Sequence, residues 1–189
     1  MKIILATGNP GKAREFADLF GAYDIEITLP VSMPDVDENG ETFAENARIK
    51  AKALYDICGE TVLADDSGLC VDALDGRPGI YSARYAQPGK RRMKVLGELK
   101  DVAPKHRTAR FVCTLCLIEK GGKITECAGT CEGHITDRSR GTSGFGYDPI
   151  FQPDGYSETF AELTQNVKNQ ISHRADAVRK LMKLLGAQQ

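Results

Sequence analysis

The sequence has no excess of either charge. Lysine and arginine number 25 against 26 aspartates and glutamates, a formal net charge of −1. A protein that binds long nucleic acid usually carries a basic excess or stripe, so that class is set aside, while a small anionic ligand needs only a local cluster. Long apolar runs are missing as well. The longest, "FVCTLCLI" at 111–118, is far too short for a membrane span, which takes about 20 residues, so no membrane partner is expected. The opening "MKIILATGNPGK" has only a four-residue apolar run, so no secretory leader is read there and a cytoplasmic location is expected. No repeat and no low-complexity linker interrupts the chain. One domain over 1–189, large enough for two lobes, is therefore expected.

Hydrophobic residues make up 41% of the chain, which suits a soluble core. Six cysteines are present, and "CTLC" with "CAGTC" invites a zinc reading. Cys113 and Cys116 lie in a β-branched run, however, and side chains three apart on a strand point to opposite faces. Reduced, buried thiols are expected in preference to zinc or disulfides.

Patterning gives an α/β chain. "KIILA" (2–6), "IEITLP" (25–30) and "TVLA" (61–64) read as strands. "AREFADLFGAY" and "TFAENARIKAKALYDIC" read as helices, the second opened by a Thr42–Glu45 capping box and closed by Gly59. "KRRMKVLGELKDV" reads as a helix with Met93, Leu96 and Leu99 inward. The stretch 108–136 reads as two long antiparallel strands about "KGGK". "SHRADAVRKLMKLLG" reads as an amphipathic helix with Ala175, Val178, Leu181, Met182 and Leu185 on one face.

The chemistry concentrates in glycine-containing polar loops. "TGNPGK" (Thr7, Gly8, Asn9, Pro10, Gly11, Lys12) joins a strand to a helix, where backbone N–H groups favour an anion and Lys12 adds a full positive charge. Ala13 follows the lysine, so it is not a Walker loop. "ADDSG" sets Asp65 and Asp66 at a strand end. Two adjacent carboxylates repel, and hard oxygen ligands suit Mg²⁺, so one could face a cation while the other turns away. "DENGE" could supply a second carboxylate. "GFGYDP" (Phe145, Gly146, Tyr147, Asp148) offers a stacking face and an acceptor for ring N–H groups. "SHR" offers His173 and the planar donor fork of Arg174. Each motif alone is also what an ordinary turn, cap or solvated face looks like.

Their order is more specific than any one of them. "ATGNPGK…REF", "ENGETFAENA…KA", the segment from "ADDSGL" to "GRPGIYSARYA", "GFGYDPIF" and "ISHRADA" together closely resemble the inosine triphosphate pyrophosphatase family, from about residue 3 to residue 185. The resemblance implies an elongated, mixed-sheet, two-lobed α/β fold with a central cleft, and a homodimer. It implies Mg²⁺-dependent hydrolysis of ITP, dITP and XTP to the monophosphate and pyrophosphate. A small-molecule nucleotide is thus the expected partner. The resemblance assigns Thr7 through Lys12 to the triphosphate, Lys12 and Asp66 to catalysis, and Asp37 and Asp66 to the metal, with Glu38 as the alternative to Asp37. It assigns Ser67, Phe145 through Asp148, Lys168, His173 and Arg174 to the base and the rest of the substrate.

Overall fold

Alternating apolar residues build β1 (Lys2–Ala6), in which Ile3 and Leu5 are fully buried. Asn9 ends that run and opens a helix. Its side chain accepts from the N–H groups of Gly11 (2.8 Å) and Lys12 (3.3 Å), and Pro10 takes the first helical position, where no intrahelical N–H is needed. Helix α1 (Pro10–Gly21) therefore starts at Pro10 rather than at Ala13, and Lys12 stands in its first turn. The computed structural model that shows this describes residues 1–186.

Strand β2 (Glu26–Thr28) and strand β3 (Val62–Val71) pair with β1 in parallel. Between them, α2 (Phe43–Cys58) is tied at its start by two bonds: Thr42 Oγ1 accepts from the Glu45 N–H (3.1 Å), and the Glu45 carboxylate accepts from the Glu41 N–H (2.7 Å). The cap thus reaches one residue further back than a plain capping box. Gly59 ends the helix in the left-handed region (φ 63°), which costs glycine little. Strands β4 (Thr108–Ile118) and β5 (Ile124–Ile135) are sheet neighbours joined by a tight turn, with Glu119 bonded to Lys123 at the turn and Ile135 to Arg107 at the far end. That register is antiparallel, as the "KGGK" turn predicts. The whole sheet runs β2-β1-β3-β4-β5-β6, with β6 (Phe151–Pro153) antiparallel to β5.

The chain falls into two compact units. Among the described residues, one comprises Met1–Asp66, Cys113–Gly129 and 174–186; the other comprises Ser67–Val112 and Thr130–His173. In the first unit, the period of two along the strands sorts side chains into two cores. Ile3, Leu5, Leu63, Cys113 and Leu115 pack with Phe16 and Phe20 of α1 and with Val178, Leu181 and Met182 of α5 (His173–Leu184). Ala6, Val62, Ala64, Cys116 and Ile118 pack with Ala47, Ala51 and Leu54 of α2. Cys113 and Cys116 lie in different cores, as their three-residue spacing on a strand requires.

The second unit is built on Leu69, Val71, Phe111, Ile135, Tyr147, Phe151 and Phe160. Helix α3 (Arg91–Glu98) sends Val95 into it and, just past its end, Leu99 follows. Met93, expected inward, is 71% exposed, because a helix this short has one narrow inner stripe and Val95 and Leu99, four apart, occupy it. Two elements escaped the sequence pattern: the short β6 and helix α4 (Gln165–Ile171), which Thr164 caps through the Val167 N–H. Among the described residues no helix is long and apolar enough to cross a membrane.

Candidate functional site

The acid pair does not sit where a strand meets a turn. Asp65 and Asp66 are in the body of β3, which continues through Ser67 and Gly68 to Val71. Two carboxylates can stand there because consecutive strand side chains point to opposite faces and each face supplies a cation. Asp65 is fully buried and meets Lys12 Nζ of α1 at 2.8 Å. Asp66 meets Lys50 Nζ of α2 at 3.1 Å.

Electrostatics separates the two acids. Burial resists ionisation of Asp65, but Lys12, Arg174 and Lys50 outweigh it and hold its carboxyl at about 2. Burial is also the largest influence on Asp66, and there Lys50 and Lys12 only partly offset it, so its proton affinity lies above the usual carboxylate range. Burial pulls the Lys50 ammonium toward neutrality, and Asp65, Asp66 and Glu38 together more than reverse that, so it stays charged. Lys12, Asp66 and Arg174 thus act within one electrostatic cluster of the first unit.

Around this pair the same unit arranges further groups. Lys50 Nζ donates to Asp66 Oδ1 and also reaches Glu38 Oε2 (3.3 Å), so two carboxylates converge on one cation. Asp37, the acidic-turn residue assigned to the metal, is exposed; the turn sends its neighbour Glu38 inward instead. Arg174, at the start of α5, donates to Glu15 Oε2 of α1 at 2.8 Å, with both residues buried. The turn from Thr7 to Pro10 lines a small cavity of about 160 Å³ with Leu29, Pro30 and Met33. Thr7 Oγ1 accepts from the Asn9 N–H (3.1 Å), and Asn9 occupies the amides of Gly11 and Lys12. The cationic feature of this turn is therefore the Lys12 ammonium.

The donor chemistry near Asp66 fits Mg²⁺. Asp66 and Glu38 offer hard oxygens that already face a cation. Among the described residues no three His, Cys, Asp or Glu side chains gather at ligand spacing. Mg²⁺ typically takes one or two carboxylates and completes its shell with water and substrate phosphates.

The second unit holds the other assigned residues. Asp148 Oδ2 accepts from Lys168 Nζ (2.7 Å) and from the Phe145 N–H (2.8 Å), and both Asp148 and Lys168 are buried. Gly144, at φ 74°, lets the chain pass the Asp148 carboxylate so closely that a Cβ would collide with it. The Lys168 ammonium lies over the Phe145 ring (5.2 Å) and the Phe160 ring (5.5 Å). Tyr147 is buried and donates to the Ser82 carbonyl (2.9 Å). His173 is buried and stacks on Phe111, centroids 4.7 Å apart. Gly146 is exposed, and Ser67 follows Asp66 in β3, half-buried. Lys168, which in the sequence looks like surface decoration, is thus a buried ion-pair partner.

Sequence reasoning passed over Lys50, Asn46 and Glu15. The signal was present. The inward stripe of α2 is Asn46, Ala47, Lys50, Ala51 and Leu54, and that of α1 is Glu15, Phe16, Leu19 and Phe20. A polar or charged residue on an apolar stripe needs a buried partner and so marks one.

Two buried carboxylates, each countered by a lysine ammonium, thus stand together in the first unit. Over nearly its whole length the chain belongs to the Ham1 family, whose sequence profile matches residues 3–184. A protein of Oceanobacillus iheyensis named dITP/XTP pyrophosphatase is 50% identical, covering 97% of this chain and 98% of its own. Among solved structures, a HAM1 protein from Coxiella burnetii superimposes with a TM-score of 0.87 at 39% identity, covering 98% of each chain. The Staphylococcus aureus Ham1 protein gives 0.85 at the same identity and coverage.

Proposed function

We propose that this protein hydrolyses the triphosphates of deaminated purine nucleosides, dITP, ITP and XTP, to the monophosphate and pyrophosphate. The observation that carries the reading is full-length identity near one half with proteins named for that activity. The cluster about β3 supplies the means. Lys12, held in place by Asp65, neutralises phosphate charge, most of all the charge that grows on departing pyrophosphate. Asp66 orients the attacking water; a carboxylate that also held Mg²⁺ would be a weak base, so its part is to orient rather than to deprotonate. Asp66 and Glu38 are the carboxylates that would hold Mg²⁺, which when bound offsets triphosphate charge.

Base selection is assigned to donors. Hypoxanthine and xanthine carry a 6-keto acceptor where adenine carries an amino donor. A site whose N–H groups await an acceptor leaves them unpaired on adenine, a mismatch of roughly 10⁴-fold or more. Arg174 and His173, with Phe145, Tyr147, Asp148 and Lys168, keep the base-side role that the resemblance gives them. A homodimer in the cytoplasm completes the reading.

The test is pyrophosphate release from dITP, XTP, ITP, GTP and ATP with and without Mg²⁺. Turnover of the first three but not of ATP, and only with the metal, is expected; GTP, which shares the 6-keto group, reads whether its 2-amino group is rejected. Asp66→Asn should lower kcat at least ~10³-fold, the loss of an oriented water and of a metal-holding carboxylate together. Equal rates on ATP, or an active Asp66→Asn protein, would end the proposal.

A further inference from the structure

Asn46 is 1% exposed and lies on the inner stripe of α2, one helical turn before Lys50. Its two amide atoms point at different parts of the cluster. Oδ1 accepts from the Gly40 N–H (2.9 Å), and Nδ2 donates to Asp66 Oδ2 (3.4 Å). The orientation is forced. A flipped amide would set its NH₂ against the Gly40 N–H and its oxygen against a carboxylate, both repulsive.

Gly40 belongs to the same turn as Glu38. A Cβ there would stand 2.8 Å from Asn46 Oδ1 and 2.7 Å from Glu45 Cβ, so this close approach has no room for a larger residue. The neighbouring Glu41 N–H is held by Glu45, leaving the turn fastened to α2 at two successive amides. Only the Asn46 bond continues to Asp66. Lys50 ties the same two partners from the side-chain direction, through Glu38 and Asp66.

We infer that Asn46 is a positioning residue of the proposed hydrolysis: through one amide it fixes both the acidic turn that carries Glu38 and the Asp66 carboxylate, so that the two acids face one cation. This rests on the functional reading above for its kinetic consequence but not for its geometry. A carboxylate left to rotate, or a turn left to drift, still binds nucleotide through Lys12. It no longer aligns water and metal, so kcat suffers rather than KM.

Two substitutions separate the halves of the amide. Asn46→Asp keeps the acceptor for Gly40 and loses the donor for Asp66; Asn46→Ala loses both. The expected result is a kcat on dITP about 10- to 100-fold lower in each, the usual cost of removing a group that orients a metal-binding carboxylate, with KM within about threefold. Backbone hydrogen exchange of the 38–41 segment should rise roughly tenfold in Asn46→Ala and stay near the parent in Asn46→Asp. Unchanged kcat in Asn46→Ala, or unchanged exchange at Gly40 in it, would overturn the inference. Should the buried substitutions fail to fold, Gly40→Ala presses on the same amide from the turn; it should lower kcat with the fold retained, and parental kcat would overturn the inference. A parent protein inactive on every nucleotide would instead refute the functional reading, while the exchange arm would still decide the tie.

Discussion

Replacing Asp65 by asparagine removes one negative charge from among Lys12, Arg174 and Lys50 and changes almost nothing in volume. The cost follows from the proton. Folding lowers this carboxyl from its ordinary 3.8 to about 2. At ~1.4 kcal/mol per pH unit, that gap of nearly two units means the folded protein prefers the ionised form over the neutral one by about 2 kcal/mol. Asparagine is a fair stand-in for the neutral form, so Asp65→Asn should lose about that much stability at pH 7. A carboxyl depressed by folding stabilises the native state above its unfolded pKa and ceases to do so as pH falls through its folded pKa. The difference between parent and variant should therefore be full at pH 7, roughly halved near pH 3 and nearly gone at about pH 2. Urea unfolding of both proteins at pH 7, 4 and 3 measures it. Equal stability at pH 7, or a deficit that does not shrink with acid, would show that the three cations do not act on Asp65 as a group.

Lys168→Met leaves Asp148 buried without its ammonium, and should cost about 3–5 kcal/mol in chemical denaturation, the range for breaking one side of a buried pair. Adding Asp148→Asn should recover part of the loss, and strictly additive costs would mean the two are not coupled. Arg174→Ala should raise KM for dITP more than it lowers kcat, and should also destabilise the fold because Glu15 loses its guanidinium. Unchanged dITP kinetics would remove Arg174 from substrate binding.

What the sequence made legible was local. Thr42, Glu45 and Gly59 announce the ends of α2 through bonds that span a few residues, and the period of two foretells that Cys113 and Cys116 part company. The order of the motifs carried the family. What stayed hidden was decided by partners distant in the chain. Read alone, "ADDSG" is a plausible strand end, since a strand interior should not hold two acids. Lys12 and Lys50, from two different helices, make it a strand interior. The three residues of β6 and the seven of α4 are too few for any period to declare itself.

Asp37 and Glu38 show how a motif can name a turn without ranking its side chains. Both acids are in "DENGE", and residue type alone cannot rank them. The ranking comes from how the turn is fastened. Asn46 and Glu45 hold the amides of Gly40 and Glu41, which fixes the turn's roll against α2, and with that roll Glu38 faces Lys50 while Asp37 faces solvent. Of the two fastenings, Asn46 lies inside the apolar stripe of α2 and Glu45 on its exposed side, so the tie that reaches the cluster comes from a residue that is not an acid. A search confined to acidic residues finds both acids; the way the turn is tied to α2 sets which of them faces Lys50.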